Sequence, residues 1–272
     1  MKNLSISLII VCLLFFSHNL IAQENNNNNI PASSEEITIV IENDSIAAFG
    51  MLASGKEKKE TVILLHGLPG NERNLDLAQA LRRDGRNVIY FNYRGAWGSQ
   101  GEFLFSNLTE DVKHVIDFFS TPENSNKFRV KTDSFILFGH SMGGKVALLS
   151  AAKDDRINKI ALCSPWNYLS RSSLKEENFK NFYKNLIKPY FMLNTKQVSF
   201  IKDLQLNYKS FHLKQYKREL NKLKILVLDE NNRNKNWIEY IGNIEHHIWK
   251  TDHSFSDKRL ELINKVSEWL DN

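Results

Sequence analysis

The sequence predicts an α/β fold: a mostly parallel sheet of eight strands with helices on both faces. Three observations carry this expectation. Eight short apolar runs rich in β-branched and aromatic residues recur from Ile37 to the end of the chain. Helical patterns separate most of the later runs, as parallel strands require, because each needs a long crossover. Two of the strand-to-helix turns, "HGLPG" and "GHSMGG", hold glycines where the backbone must turn sharply.

The strand-type runs are "ITIVI", "IAAFGML", "TVILLH", "NVIYFNY", "SFILFG", "INKIALC", "KILVLD" and "IEHHIWK". Several are apolar almost throughout, as strands buried on both faces are. Helical stretches are expected at 74–83, 108–119, 142–152 and 258–270. Between the sixth and seventh runs, residues 166–222 show no strand pattern and are rich in Phe, Tyr, Leu, Lys and Asn. An insertion of that length between two strands usually forms a cap over a site. The plainer alternative is a helical pair packed elsewhere on the core.

Before the first strand lie two segments of different character. Residues 1–22 carry a positive start (Lys2), an apolar stretch at 4–16 and the small residue Ala22, the pattern of a cleaved secretory leader. The apolar stretch falls short of the ~20 residues a spanning helix needs, so no stable membrane span is expected after cleavage. The mature chain is expected in the periplasm or outside the cell. Residues 23–36 form a polar low-complexity linker, and 37–272 one domain with the insertion inside it.

Bulk properties narrow the partners. The 272-residue chain is 42% hydrophobic and 25% charged, enough for a full core. Its net charge of +5 comes from dispersed lysines without an arginine-rich block, so a solvated surface is expected and no nucleic-acid partner. Cys12 falls in the leader. Cys163 alone remains, inside the apolar run "IALCSP", and reads as a buried structural thiol. No His, Cys and Asp spacing suggests a metal site.

The chemistry concentrates in three turns. "GHSMGG" at 139–144 follows an apolar strand and opens a helical pattern. That context marks a nucleophile elbow with Ser141 at its tip, and the helix dipole favours negative charge there. "LLHGLPGNE" at 64–72 follows the third strand. The N–H groups of Leu68 and Met142 would hold a developing oxyanion, and His66 would brace the turn. "KTDHSFSDKRL" at 250–260 lies between the last strand and the last helix, where a loop could bring His253 to Ser141 as base.

Together, HG-x-PG, "NYRGAWGSQGEF", "GHSMGG" and "TDHSFSD" resemble the α/β-hydrolase superfamily, most of all exported bacterial hydrolases related to esterases and dipeptidyl-peptidase-type catalytic domains. The resemblance implies a serine hydrolase working through an acyl-enzyme on a small-molecule acyl substrate, with no metal or organic cofactor. It implies that the loop after the fourth strand borders the site, where Trp97 and Phe103 would wall an acyl pocket and Arg94 would steady the loop. The alternative is that Trp97 merely caps the core. Related enzymes commonly carry the triad acid after strand seven as G-x-x-D. Here Glu230 takes the glycine position and Arg233 the aspartate position. Asp229 is the first candidate acid, Glu230 the second, and an incomplete triad the third. Ester hydrolysis is the leading activity. A peptidase or amidase, or a catalytically impaired binding protein on the same scaffold, are the alternatives.

Overall fold

The structure, a computed structural model, describes residues 30–167 and 176–272. The leader expected at 1–22 and the first half of the linker at 23–36 lie outside the described residues. All eight predicted strands form: β1 (Ser33–Ile41), β2 (Asp44–Leu52), β3 (Lys59–Leu65), β4 (Asn87–Phe91), β5 (Val130–His140), β6 (Ile157–Cys163), β7 (Lys224–Asp229) and β8 (Ile244–Ile248). They make one sheet in the order β1-β2-β4-β3-β5-β6-β7-β8. Pairing is antiparallel at β1–β2 and β2–β4 and parallel from β4 to β8. β1 starts at Ser33, inside the stretch read as linker. Backbone pairing of Ser33 with Leu52 extends the strand where the side chains give no apolar signal.

Successive strand residues point to opposite faces, and two cores result. Val62, Leu64, Ile136, Phe138, Leu226 and Leu228 face α1 (Leu75–Arg83), while Ile63, Leu65, Leu137, Ile160 and Val227 face the other layer. That second layer holds α2 (Phe105–Ser120), α3 (Pro122–Phe128) and α4 (Met142–Ala151). α2 begins three residues before its predicted start, because Phe105 is an aromatic hub of the core.

The described part of the insertion holds α5 (Glu176–Leu186), α6 (Gln197–Asn207), two 3-10 turns and the short α7 (Lys217–Leu220). It is rooted in the core: Phe105 meets Phe182, Phe200 and Phe211 at ring distances of 5.7, 5.4 and 6.3 Å. Backbone bonds also join it to the loop after β4, with Trp97 donating to Met192 and Phe103 to Asn194. The chain closes with α8 (Lys235–Ile241) and α9 (Arg259–Asp271), the latter packed on the α1 face. No described helix is long and apolar enough to cross a membrane.

Candidate active site

Ser141 stands between the end of β5 and the start of α4 with φ 53° and ψ −117°. A non-glycine residue there carries strain of order 1–3 kcal/mol, which the surroundings must hold. They do so by close approach. A Cβ on Gly139 would come within 2.4 Å of the Gly143 carbonyl oxygen, and one on Gly143 within 2.0 Å of that of Leu65. Ser141 N–H donates to Cys163 at 3.0 Å, and its carbonyl accepts from Trp166 at 2.8 Å. The glycines of the motif are thus dictated by the tight seat of helix on strand. Cys163 is buried, and burial pushes its thiol above the ordinary range, which suits a structural residue.

The loop after β3 lies against the elbow: a Cβ on Gly67 would sit 3.0 Å from Ser141 Cβ. Leu68 follows it. Met142 is the first residue of α4, so its N–H has no acceptor within the helix. His66 is buried and its Nδ1–H donates to the Gly67 carbonyl at 2.7 Å. Burial lowers its pKa to about 4, so the ring is neutral at pH 7 and acts as a brace.

Sequence reasoning put Asp229 first as the partner of His253; the structure brings Glu230 there instead. Asp229 is fully buried. Its Oδ1 accepts from Asn234 Nδ2 at 2.9 Å and its Oδ2 lies 2.9 Å from His246 Nε2. As the last residue of an inward-facing strand end, it points away from the loop that carries His253. Glu230, one residue later, faces that loop, and His253 Nδ1 lies 3.3 Å from its Oε1. Its other oxygen accepts from the Ser164 hydroxyl. Burial alone would raise the Glu230 carboxyl, but Ser164, its own amide, His253 and Arg233 hold it below the ordinary carboxylate range.

Three more residues complete this arrangement: Ser164 and His140, to which sequence reasoning assigned no role, and Arg233, which it marked only by position. Ser164, at φ 46°, fixes Glu230 from below. His140 donates its Nε2–H to the His253 carbonyl at 3.0 Å and so anchors the base loop; burial lowers its pKa to about 4. Arg233 sets Nη1 2.8 Å from Glu230 Oε1 and Nη2 3.2 Å from His253 Nδ1. Only the position of Arg233 was a signal in the sequence, because it stands where related enzymes carry an aspartate.

Ser141 and His253 line one cleft of about 230 Å3 together with Leu68, Trp166, Leu186, Tyr190 and Arg233. Larger cavities of about 340 and 530 Å3 lie elsewhere and contain none of these residues. The expected pocket walls are corrected here. Phe103 is fully buried against Phe105 in the core and does not reach the cleft. Trp97 turns toward the β3 loop, where Nε1–H donates to the Pro69 carbonyl at 2.7 Å and the Arg73 guanidinium covers its ring at 5.1 Å. The glycine-rich loop therefore braces its neighbours, while the insertion supplies the apolar wall. Arg94 does steady that loop: its Nε donates to buried Asp111 and its Nη2 to Glu110 at 2.9 Å.

Comparison with known proteins gives the family of the chain and likenesses of its fold. The family model described as "Serine aminopeptidase, S33" matches residues 56–228. The chain belongs to this α/β-hydrolase family. The match takes in the β3 loop and the elbow and ends at Leu228, so Glu230 and His253 lie beyond it. Among solved structures, the chain is similar to the Pyrococcus furiosus esterase Pf2001, at 19% identity and TM-score 0.62 over 88% of this chain and 91% of that one. It is also similar to Est1E from Butyrivibrio proteoclasticus with bound ferulic acid, at 16% identity and TM-score 0.67 over 86% and 97%. These likenesses concern the fold. Among curated proteins it is 31% identical over 106 residues to a probable alcohol acetyltransferase of Saccharomyces cerevisiae, 38% of this chain and 29% of that protein. It is 30% identical over 101 residues to the sn-1-specific diacylglycerol lipase ABHD11 of Danio rerio, 36% of this chain and 28% of that protein. The matched segments span under a third of either curated relative.

Proposed function

We propose that this hydrolase is a serine esterase that cleaves small acyl esters through an acyl-enzyme. Ser141 Oγ attacks the ester carbonyl and its proton passes to His253 Nε2. The N–H groups of Leu68 and Met142 receive the oxyanion. The tetrahedral intermediate collapses, the alcohol leaves with the proton from His253, and water repeats the sequence on the acyl-enzyme. Glu230 balances the charge on the imidazolium. The observation that carries this reading is one cleft shared by a strained elbow serine and a histidine backed by a carboxylate.

The cleft favours ester over aminopeptidase action. Reading a free amino terminus calls for an available carboxylate, and Glu230 is engaged by Ser164, His253 and Arg233. Besides Ser141 and His253, the described residues lining the cleft are Leu68, Trp166, Leu186, Tyr190 and Arg233, which offer apolar walls and a cation but no carboxylate. The proposal retains an exported mature protein, supported by the residue pattern at 1–22.

A fluorophosphonate probe together with a panel of acyl esters and aminoacyl amides tests the proposal. Labelling of wild type but not of Ser141→Ala is expected, with ester turnover reduced at least about 10³-fold in the variant. Unchanged turnover by Ser141→Ala excludes the mechanism. Turnover of amides alone selects the peptidase alternative.

A further inference from the structure

Arg233 creates a conflict at His253. Nδ1 of the base lies 3.3 Å from Glu230 Oε1 and 3.2 Å from Arg233 Nη2. One ring nitrogen cannot serve both. It donates to the carboxylate only when it carries the proton, and accepts from the guanidinium only when it does not. In the second case the proton sits on Nε2, and the ring has no lone pair facing Ser141. Arg233 also shares Glu230 with the base, holding the same Oε1 at 2.8 Å. A guanidinium in this place therefore weakens the catalytic tautomer. It has to be drawn aside for the site to work well; its side chain is 39% exposed, and besides Glu230 and His253 it makes one further hydrogen bond among the described residues, a 3.3 Å donation to the Ser164 carbonyl.

The surroundings indicate what draws it. Among the described residues lining the cleft, Arg233 is the one fixed cation, set among Leu68, Trp166, Leu186 and Tyr190. The insertion that supplies part of this wall has twelve Lys or Arg against four Asp or Glu at 166–222, in a chain of net charge +5. The positive excess of the whole protein thus lies, in sequence, within the insertion that gives Trp166, Leu186 and Tyr190 to the cleft, and a net positive field of this kind attracts anions over a distance without direct contact.

We infer that the preferred substrate is an ester bearing an anionic group, a carboxylate for instance, and that Arg233 is the specificity-determining residue that reads it. The anion takes the guanidinium from Glu230 and His253, and the base then donates Nδ1–H to Glu230 alone. Substrate recognition and alignment of the base are one event. This inference rests on the serine-esterase reading and adds the substrate class to it.

The test compares wild type, Arg233→Gln and Arg233→Lys on two matched pairs of esters. One pair places the charge in the acyl part, p-nitrophenyl hydrogen succinate against p-nitrophenyl butyrate. The other places it in the leaving group, m-carboxyphenyl acetate against phenyl acetate. In at least one pair, the anionic-to-neutral ratio of kcat/KM should fall about tenfold in Arg233→Gln, the loss expected for one charge-assisted contact. Arg233→Lys should keep part of the preference. Arg233→Gln should also hydrolyse the neutral esters about two- to fivefold faster, since the competing tautomer loses its donor. Equal ratios in wild type and Arg233→Gln for both pairs overturn the inference. Failure of the esterase reading looks different: wild type then hydrolyses none of the four esters and Ser141 takes no fluorophosphonate label, and the inference falls with it.

Discussion

Replacing each of the two neighbouring carboxylates separates their roles. Glu230→Gln removes the charge facing the imidazolium that forms when His253 takes the serine proton. At 3.3 Å two unit charges interact by about 5 kcal/mol at an effective dielectric of ~20, and by about 1.3 kcal/mol in bulk water. Glu230 is nearly buried but His253 is half exposed, and Arg233 cancels part of the attraction, so a value near 3 kcal/mol is reasonable after screening. That corresponds to a fall in kcat of roughly 10²-fold, below the ~10⁴-fold that a fully engaged aspartate can cost. Asp229→Asn should leave kcat within about twofold, because its partners are His246 and Asn234. It should instead cost about 1–3 kcal/mol of stability through the disturbed buried network. Steady-state kinetics on p-nitrophenyl butyrate and urea unfolding of both variants provide the measurements. Loss of kcat in Asp229→Asn with none in Glu230→Gln refutes the assignment made from the structure.

Three further outcomes follow from the same geometry. Leu186→Ala and Tyr190→Ala remove apolar wall from the cleft and should raise KM for hexanoyl esters by about 10-fold while acetyl esters change little, the scale of ~1–3 kcal/mol for lost pocket contact; equal effects on both esters count against the wall. His140→Ala should lower kcat with KM nearly constant, since the His253 carbonyl loses its anchor, and His140→Gln should recover part of it; a pure loss of stability with unchanged kcat refutes this. Lys145 is buried and its pKa is lowered from 10.5 to about 7, so it penalises folding fully below pH 7 and progressively less toward pH 10.5. Lys145→Met should therefore add a few kcal/mol at pH 6 and little at pH 10, at about 1.4 kcal/mol per pKa unit; a gain independent of pH refutes the buried charge as its cause.

Most of the fold was legible because local chemistry and tertiary packing agree. Strands such as "TVILLH" and "SFILFG" are apolar on both faces and form wherever helices cover them. The elbow was legible for a stronger reason: its geometry excludes a Cβ at Gly139 and Gly143, so residue identity and backbone shape constrain each other. Phe103 and Trp97 were misread because an aromatic residue in a glycine-rich loop looks the same whether it lines a cleft or braces a core. The choice was made by contacts that sequence spacing does not contain, Phe105 for one and Pro69 for the other.

The acid shows where such reading stops. A strand has a side-chain period of two, so neighbouring carboxylates at its end face opposite sides, and the sequence "LDEN" alone does not say which side holds the histidine. Asp229 lies on the side where His246 of β8 and Asn234 of the following turn meet it. Glu230 lies on the side where Ser164 emerges from β6 and His253 from the last loop. Each carboxylate is thus fixed by residues from two other segments. Once Arg233 occupies the place of the usual aspartate, a carboxylate at 230 can reach His253 Nδ1 from three residues earlier, and the cation that took the aspartate's place sits in contact with both. The relocation of the acid and the presence of the guanidinium form one arrangement: without Glu230 the guanidinium stays beside His253 as an unbalanced cation, and without Arg233 the carboxylate is left to His253 and Ser164 alone. A double-mutant cycle of Glu230→Gln with Arg233→Gln should therefore be non-additive in kcat, by more than the ~0.5 kcal/mol seen for independent sites. Strict additivity would mean that the two residues act on His253 separately and that the shared oxygen of Glu230 has no functional weight.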